Sequence, residues 1–223
     1  MPPEIAAVVA ARNEEERLPG TLAALRAAFS DARLIVADDA STDRTPEIAR
    51  EAGAELVRSE QRLGKGGAMT PAARLALDLE PRAVLLCDGD LGESAAHLAA
   101  LAGAVESGEA DLAIARFARR LGGGFGIALT SSRKTVERRT GRRLEAPLSG
   151  QRALTPAALN AVLPFAPGFG METAMNIDAL RAGLTVAEIE LDLEHRATGR
   201  TAAGFAHRGR QLADIARVYL SRR

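Results

Sequence analysis

Five short apolar runs, each followed by a stretch of helical or helix-capping character, constrain the fold of this chain more than any other feature. Ile5–Ala10, Arg33–Ala37, Ala54–Val57, the run Ala83-Val84-Leu85-Leu86-Cys87 ending at Asp88, and Asp111–Ala115 read as strands. Helices are expected from Glu14 to Phe29, on apolar Leu18, Leu22, Leu25 and Phe29, and from a Ser41-Thr42-Asp43 cap through Ala49, with Pro46 in the first turn. Two more are expected, from about Met69 to Leu79 and from a Ser94 cap to Ser107. Strands separated by helices need crossover connections, which makes the expected fold α/β with a mostly parallel sheet.

The second half changes character. Gly122-Gly123-Gly124-Phe125-Gly126 reads as a loop, and Ile127–Gly141 as a basic helix or loop carrying Arg133, Lys134, Arg138 and Arg139, with Arg142 and Arg143 just beyond. Pro147–Leu154 can supply a short strand pair. Glu172–Ala182 reads as a helix stopped by Gly183, Leu184–Leu193 as an alternating strand, and Gln211–Leu220 as a terminal amphipathic helix. No internal repeat or low-complexity linker interrupts the chain. One domain over residues 1–223 is expected, with halves 1–115 and 116–223, the second forming a small lobe.

Composition excludes several function classes. The formal net charge of the 223 residues is zero, so nucleic acid is not an expected partner. The single cysteine, Cys87, cannot form an internal disulfide or a thiolate metal site, which suits a reducing, cytoplasmic compartment. No apolar stretch approaches the roughly 20 residues of a membrane-spanning helix.

In open parallel sheets ligands bind beyond the carboxyl ends of the strands. Three polar clusters fall there: Arg12-Asn13-Glu14 after Ala11, Asp38-Asp39, and Asp88-Gly89-Asp90. Each cluster can be a helix cap or an ordinary turn. Together they suit one pocket, in which two carboxylates set about Gly89 can hold Mg2+ or Mn2+ along with a substrate phosphate. Gly64-Lys65-Gly66-Gly67 adds flexible backbone and a cation near a helix N-terminus, again suited to phosphate, but it lacks the spacing of a Walker loop.

Order and spacing of these segments resemble the family 2 glycosyltransferases across roughly residues 5–115. Ala11-Arg12-Asn13-Glu14-Glu15, Val36-Ala37-Asp38-Asp39-Ala40-Ser41-Thr42-Asp43, Gly64-Lys65-Gly66 and Asp88-Gly89-Asp90 carry the likeness. Pro147-Leu148-Ser149-Gly150 and Gly168-Phe169-Gly170-Met171-Glu172 are similar to segments of dolichol-phosphate mannose synthases and glucosyl-3-phosphoglycerate synthases. The resemblance implies a GT-A fold, a nucleotide-diphosphate sugar donor and Mg2+ or Mn2+. It implies that Ala11, Arg12, Asn13, Glu14, Asp38, Asp39, Gly64, Lys65, Asp88 and Gly89 face the donor. Asp90, Asp88 and His195 are the implied metal ligands, with His207 the second choice of histidine. Glu172 and Asp90 are the implied catalytic residues, Glu172 as the base or positioner for an acceptor hydroxyl. Arg133, Ser149, Gly150, Gly170, Arg196 and Arg200 are assigned to a phosphorylated acceptor, either phosphoglycerate-like or a polyprenyl phosphate. Peripheral contact with the inner membrane face and a homodimer are left open. Two rival readings are a phosphatase of the haloacid dehalogenase type and a non-catalytic nucleotide-sugar-binding module. The phosphatase's usual Asp-x-Asp on the first strand and its later Gly-Asp-x-x-x-Asp pattern are both missing.

Overall fold

The computed structural model describes residues 3–118, 126–193 and 202–222. Their strands are β1 (Ile5–Ala11), β2 (Arg33–Asp38), β3 (Glu55–Arg58), β4 (Ala83–Asp88), β5 (Leu112–Phe117), β6 (Arg152–Leu154) and β7 (Val186–Leu191). They form one sheet in the order β3-β2-β1-β4-β6-β5-β7. Only β6 runs antiparallel, wedged between β4 and β5. The helices are α1 (Leu18–Ala28), α2 (Thr45–Glu51), α3 (Lys65–Asp78), α4 (Ala99–Glu106), α5 (Gly126–Thr140), α6 (Pro156–Val162), α7 (Met171–Arg181) and α8 (Ala202–Ser221).

Both faces of the sheet are covered, which is why its central strands read as continuous apolar runs. Along β1, Ile5, Ala7 and Val9 join a core with Leu18, Leu22 and Leu25 of α1 and Leu101 and Val105 of α4. Ala6 and Val8 join the opposite core with Met69 and Ala73 of α3, Leu159 of α6 and Met175 and Ile177 of α7. The chain builds β2 and β3 on one side of β1 and then returns to the other side for β4. This reversal opens a crevice beyond the carboxyl ends of β1 and β4, where a ligand site is expected.

Several element boundaries differ from the sequence reading. Helix α1 starts at Leu18, not Glu14; a separate turn precedes it, in which the Arg17 and Leu18 amides donate to the Glu14 carbonyl while the amides of Asn13 and Glu14 donate to Ser41 Oγ (3.0 Å) and Thr45 Oγ1 (2.8 Å). Of the expected Ser41-Thr42-Asp43 cap, Asp43 Oδ1 accepts from the Thr45 amide at 3.0 Å. Helix α3 begins at Lys65, four residues before the expected start. Ser94 is no cap: its hydroxyl donates to the Leu91 carbonyl at 2.7 Å, within a 3-10 segment (Gly92–Leu98) that precedes α4. The expected strand pair at Pro147–Leu154 is one strand, β6, preceded by a loop. The second half adds strands to the same sheet. Helix α6 is not among the elements expected from the sequence, although Thr155 accepts from the Ala158 amide at 3.1 Å and Pro156 opens the helix, a legible capping signal. Helix α8 extends back to Ala202.

Two helical glycines have opposite steric settings. A Cβ on Gly66, in the first turn of α3, would overlap the Ala166 carbonyl oxygen, whereas one on Gly103 in α4 would meet nothing within 4 Å. Gly103→Ala is expected to stabilise the fold by about 0.5–1 kcal/mol through helix propensity. Gly66→Ala is expected to destabilise it by about 1–3 kcal/mol through overpacking. Urea unfolding of both variants checks the opposed signs.

Candidate active site

The crevice is framed by loops that fasten to one another. Asn13, at the end of β1 with φ 55°, accepts from the Thr42 amide through Oδ1 at 2.9 Å. Asp38, the last residue of β2, is fully buried; it pairs with Arg58 Nε at 3.1 Å and accepts from the Ser41 amide at 3.2 Å. Asp39 accepts from the Leu63 amide at 2.6 Å and the Gly64 amide at 3.0 Å, which ties the loop before α3 to β2. Both acids were assigned to the donor, and both have framework partners here. A carboxylate keeps further lone pairs for a ligand, which leaves nucleotide contact open to Asp39 but not to the fully buried Asp38. Arg12 and Asn13 are exposed at the rim, while Ala11 is buried and accepts from the Asp39 amide at 3.1 Å. Glu14 is half-buried at the foot of α1. Asn13–Arg17, Thr42 and Asp43 line a neighbouring cleft of about 370 Å³ that includes neither Asp88 nor Asp90.

The centre of the site is a cluster drawn from three segments. Lys65 Nζ, at the start of α3, lies 2.5 Å from Asp88 Oδ1 at the end of β4 and 3.0 Å from Glu172 Oε1 in the first turn of α7. Burial alone would favour the neutral amine, but the Asp88 and Glu172 carboxylates outweigh it and hold the lysine pKa above its ordinary value. Gln151 brackets Asp88: its Nε2 donates to Asp88 Oδ2 at 2.9 Å and its Oε1 accepts from the Asp88 amide at 3.0 Å. Gly150 is required beside this pair, since a Cβ there would overlap both Lys65 Nζ and Asp88 Oδ2. Glu172 is 7% exposed, and its side chain turns to Lys65 instead of capping α7. The neighbouring thiol of Cys87 is raised by burial and by Asp88, which leaves it protonated.

Sequence reasoning missed Arg152. This fully buried arginine donates to the carbonyl of Ser149 (2.9 Å), to Asn176 Oδ1 (2.7 Å) and to the carbonyls of Pro147 (3.3 Å) and Glu172 (3.4 Å). Asn176 Nδ2 donates to the Pro147 carbonyl as well, at 2.9 Å. Arg152 thereby joins the Pro147–Gly150 loop to the start of α7. Burial pushes its pKa down to about 10 against the opposing pull of Glu172 and Glu188. Position 152 falls on a short strand, where nothing local distinguishes a buried arginine from an exposed one.

The assigned acceptor residues separate. Ser149 and Gly150 sit in the loop beside the cluster, and the Ser149 hydroxyl is buried with no hydrogen-bond partner among the described residues. Arg133 is engaged elsewhere: its guanidinium bonds the Glu145 carbonyl and pairs with the Glu145 carboxylate at 3.0 Å. Gly170 packs on α8, where a Cβ would overlap Val218. His195, Arg196 and Arg200 lie outside the described residues, as does the side chain of His207. Among the described residues no three His, Cys, Asp or Glu side chains cluster as a ready metal site. Asp88 and Asp90 still fit Mg2+ or Mn2+, which bind through one or two carboxylates and complete their shell with water and substrate phosphate.

Comparison with known proteins completes the picture. Residues 6–162 match the model of the family described as glycosyl transferase family 2. An undecaprenyl-phosphate mannosyltransferase of Micrococcus luteus is 27% identical over 97% of this chain and 94% of its own length. A 4,4'-diaponeurosporenoate glycosyltransferase of Staphylococcus haemolyticus is 50% identical, but over only 23% of this chain and 14% of the relative. Glucosyl-3-phosphoglycerate synthase of Mycobacterium tuberculosis, solved with Mn2+, uridine diphosphate and glucosyl-3-phosphoglycerate, superposes with a TM-score of 0.80 at 26% identity, covering 99% of this chain and 80% of that one. The same enzyme with Mg2+ and uridine diphosphate gives a TM-score of 0.80 at 27% identity, with coverages of 99% and 79%. The mostly parallel sheet expected from the sequence is the GT-A-like sheet of these structures.

Arg152→Lys keeps the charge but replaces a planar fork of donors with one ammonium. It is expected to destabilise the protein by about 2 kcal/mol or more, since buried carbonyls left unsatisfied cost about 1–3 kcal/mol each. Denaturant unfolding checks this, and unchanged stability would mean that those carbonyls find other donors.

Proposed function

The chain belongs to glycosyl transferase family 2, and from that premise we propose that it moves a hexose from a nucleotide-diphosphate sugar to an acceptor that carries a phosphate. The observation that carries this reading is the Lys65–Asp88–Glu172 cluster, which joins the carboxyl end of β4 to the first turn of α7. Asp88 and, two residues on, Asp90 present carboxylates to the donor side, and Glu172 presents one to the acceptor side. An anionic diphosphate set against three carboxylates and one ammonium needs a divalent counter-ion. Asp90, with Asp88 in support, would hold Mg2+ or Mn2+, the ions found with uridine diphosphate in the Mycobacterium tuberculosis structures. Bound there, the cation would offset charge on the leaving nucleoside diphosphate.

The chain's own residues supply the rest of the chemistry. Lys65 pairs with Glu172 at 3.0 Å and aims it along the Asp88 side of the crevice, where an acceptor hydroxyl can be deprotonated or positioned. Ser149, whose buried hydroxyl has no partner among the described residues, and Gly150, close against Asp88, support reading the Pro147–Gly150 loop as one wall of the acceptor site. The engagement of Arg133 with Glu145 moves the burden of acceptor-phosphate recognition to other cations, and Arg196 and Arg200 are our candidates. We read the chain as one domain whose second half supplies the acceptor side. A phosphoglycerate-like acceptor is supported by the Mycobacterium tuberculosis enzyme, solved with glucosyl-3-phosphoglycerate, and a polyprenyl phosphate by the Micrococcus luteus relative. No helix of the described residues is long and apolar enough to cross a membrane.

Incubation with UDP-glucose or GDP-mannose and Mn2+, offered 3-phosphoglycerate or undecaprenyl phosphate in detergent, is expected to give one metal-dependent product. No transfer to either acceptor, together with no Mn2+-dependent nucleotide binding, refutes the proposal. Asp90→Ala should abolish the Mn2+ dependence of uridine-diphosphate binding measured by calorimetry. Glu172→Gln should leave uridine-diphosphate affinity within about twofold while turnover falls ~10²–10⁴-fold, the usual worth of general-base catalysis. Near wild-type turnover with a lowered melting temperature would return Glu172 to a structural role.

A further inference from the structure

The Asp88-Gly89-Asp90 turn is fastened to the first helix by a residue that no sequence motif singles out. Thr21, on α1, is fully buried. Its hydroxyl donates to the Gly89 carbonyl at 2.9 Å and accepts from the Gly92 amide at 2.8 Å. The carbonyl of Arg17, at 3.3 Å, is the longer alternative for its one proton. At the N-cap of the same helix, Arg17 NH1 donates to the Asp90 carbonyl at 2.9 Å. Helix α1 therefore grips the peptide groups on both sides of the Asp90 side chain. From the sheet side the Gly89 amide donates to the Ala10 carbonyl at 2.8 Å.

The surrounding geometry is built for this grip. Gly92 has φ +55°, which turns its amide back toward α1. Gly20, next to Thr21, faces Gly92 across ordinary van der Waals distance, a Cβ there lying 3.5 Å from Gly92 Cα. Asp90 itself is only 8% exposed, so its carboxylate has little freedom once the turn is fixed.

We propose that Thr21 is a positioning residue for divalent-cation binding: its hydroxyl clamps the Gly89–Gly92 turn and so presents the Asp90 carboxylate to the ion. The inference rests on the reading that Asp90 is a metal ligand. Groups that orient a metal ligand commonly change metal affinity roughly 10- to 100-fold when removed. A hydroxyl is the one small group that can both donate to a carbonyl and accept from an amide, as this position demands. Valine keeps the shape of threonine and removes that pair of bonds, whereas serine keeps the bonds and loses a methyl group.

The test measures Mn2+ affinity in the presence of saturating uridine diphosphate, by electron paramagnetic resonance of free Mn2+, on wild type, Thr21→Val, Thr21→Ser and Asp90→Ala. The melting temperature of each metal-free protein is recorded alongside. The expected result is a loss of about tenfold or more in Mn2+ affinity for Thr21→Val, near wild-type affinity for Thr21→Ser, and no Mn2+ binding by Asp90→Ala. If Thr21→Val melts lower but binds Mn2+ as wild type does while Asp90→Ala has lost it, the clamp is structural only; the positioning role is overturned and the metal reading stands. Undiminished Mn2+ affinity in Asp90→Ala overturns both. Should Thr21→Val fail to fold, Arg17→Met takes its place, because it cuts the half-buried bond to the Asp90 carbonyl. Weakened Mn2+ binding in that variant supports the clamp, and wild-type binding overturns it.

Discussion

Everything at the site depends on one ammonium holding two carboxylates from opposite halves of the chain. Lys65 comes from the start of α3, Asp88 from the end of β4 and Glu172 from the start of α7, and they meet within 3.0 Å of the lysine nitrogen. The Lys65 side chain is only 21% exposed, so removing its charge would leave two half-hidden carboxylates facing each other. The glycines around it follow from this need for room. Gly150 leaves space for Lys65 Nζ and Asp88, and Gly64, with φ +76°, lies so close to Gly168 that a Cβ would come within 3.2 Å of its Cα. Glycine-rich segments that look like generic phosphate loops thus turn out to be the joints at which three pieces of backbone close on one ion cluster. One ammonium cannot neutralise two carboxylates, so the cluster as a whole keeps an excess of negative charge.

The fold was legible where burial is two-sided. Strands β1, β2 and β4 are covered on both faces, and their apolar runs announce them without periodicity. Polar residues that end such strands point to the carboxyl edge, so Asn13, Asp39, Lys65, Asp88 and Asp90 could be placed in one region before any coordinates. Helix starts were less legible because tertiary contacts decide them. Local pattern continues α1 back to Glu14, yet the chain there makes its own turn on the Glu14 carbonyl and is tied to the facing loop through the amides of Asn13 and Glu14. Strand β6 is three residues long and inverted, too short to carry a pattern. Arg133 shows the opposite failure. Its basic neighbourhood suggested a phosphate site, while its partner Glu145 lies beyond the end of the same helix. Thr21 and Gln151 act through backbone groups far away in sequence, Arg152 ties its own loop to α7, and no local signal marks them.

The terminal helix has a part in the same arrangement. Arg222, just past α8, makes a forked pair with Asp178 of α7 at 2.7–2.9 Å, and Arg139 of α5 stacks 3.8 Å over the Tyr219 ring. Val218 and Asp214 close against Gly170 and Gly168, leaving no room for side chains there. These contacts brace the turn that launches α7, and with it the carboxylate of Glu172. The long sequence separation between α8 and the strand ends hides a short mechanical path.

The two acidic strand ends share a division of labour that has a physical cause. Asp38 and Asp88 are the last residues of β2 and β4, packed between neighbouring strands and helices, and each is paired with a cation of the chain itself, Arg58 and Lys65. A carboxylate still inside a sheet has to be neutralised there, whatever the protein does. Asp39 and Asp90 stand beyond the strands, where the backbone turns, and both are more than nine-tenths buried. The first acid of each pair is therefore held by a cation of the chain, while Asp39 accepts from the amides of the loop before α3, which makes the two members unequal in their partners even where a motif writes them alike. In the second pair this hold is also a link, because the cation that neutralises Asp88 is the one that holds Glu172. A change in charge at Asp88 is felt by Glu172 through a single side chain.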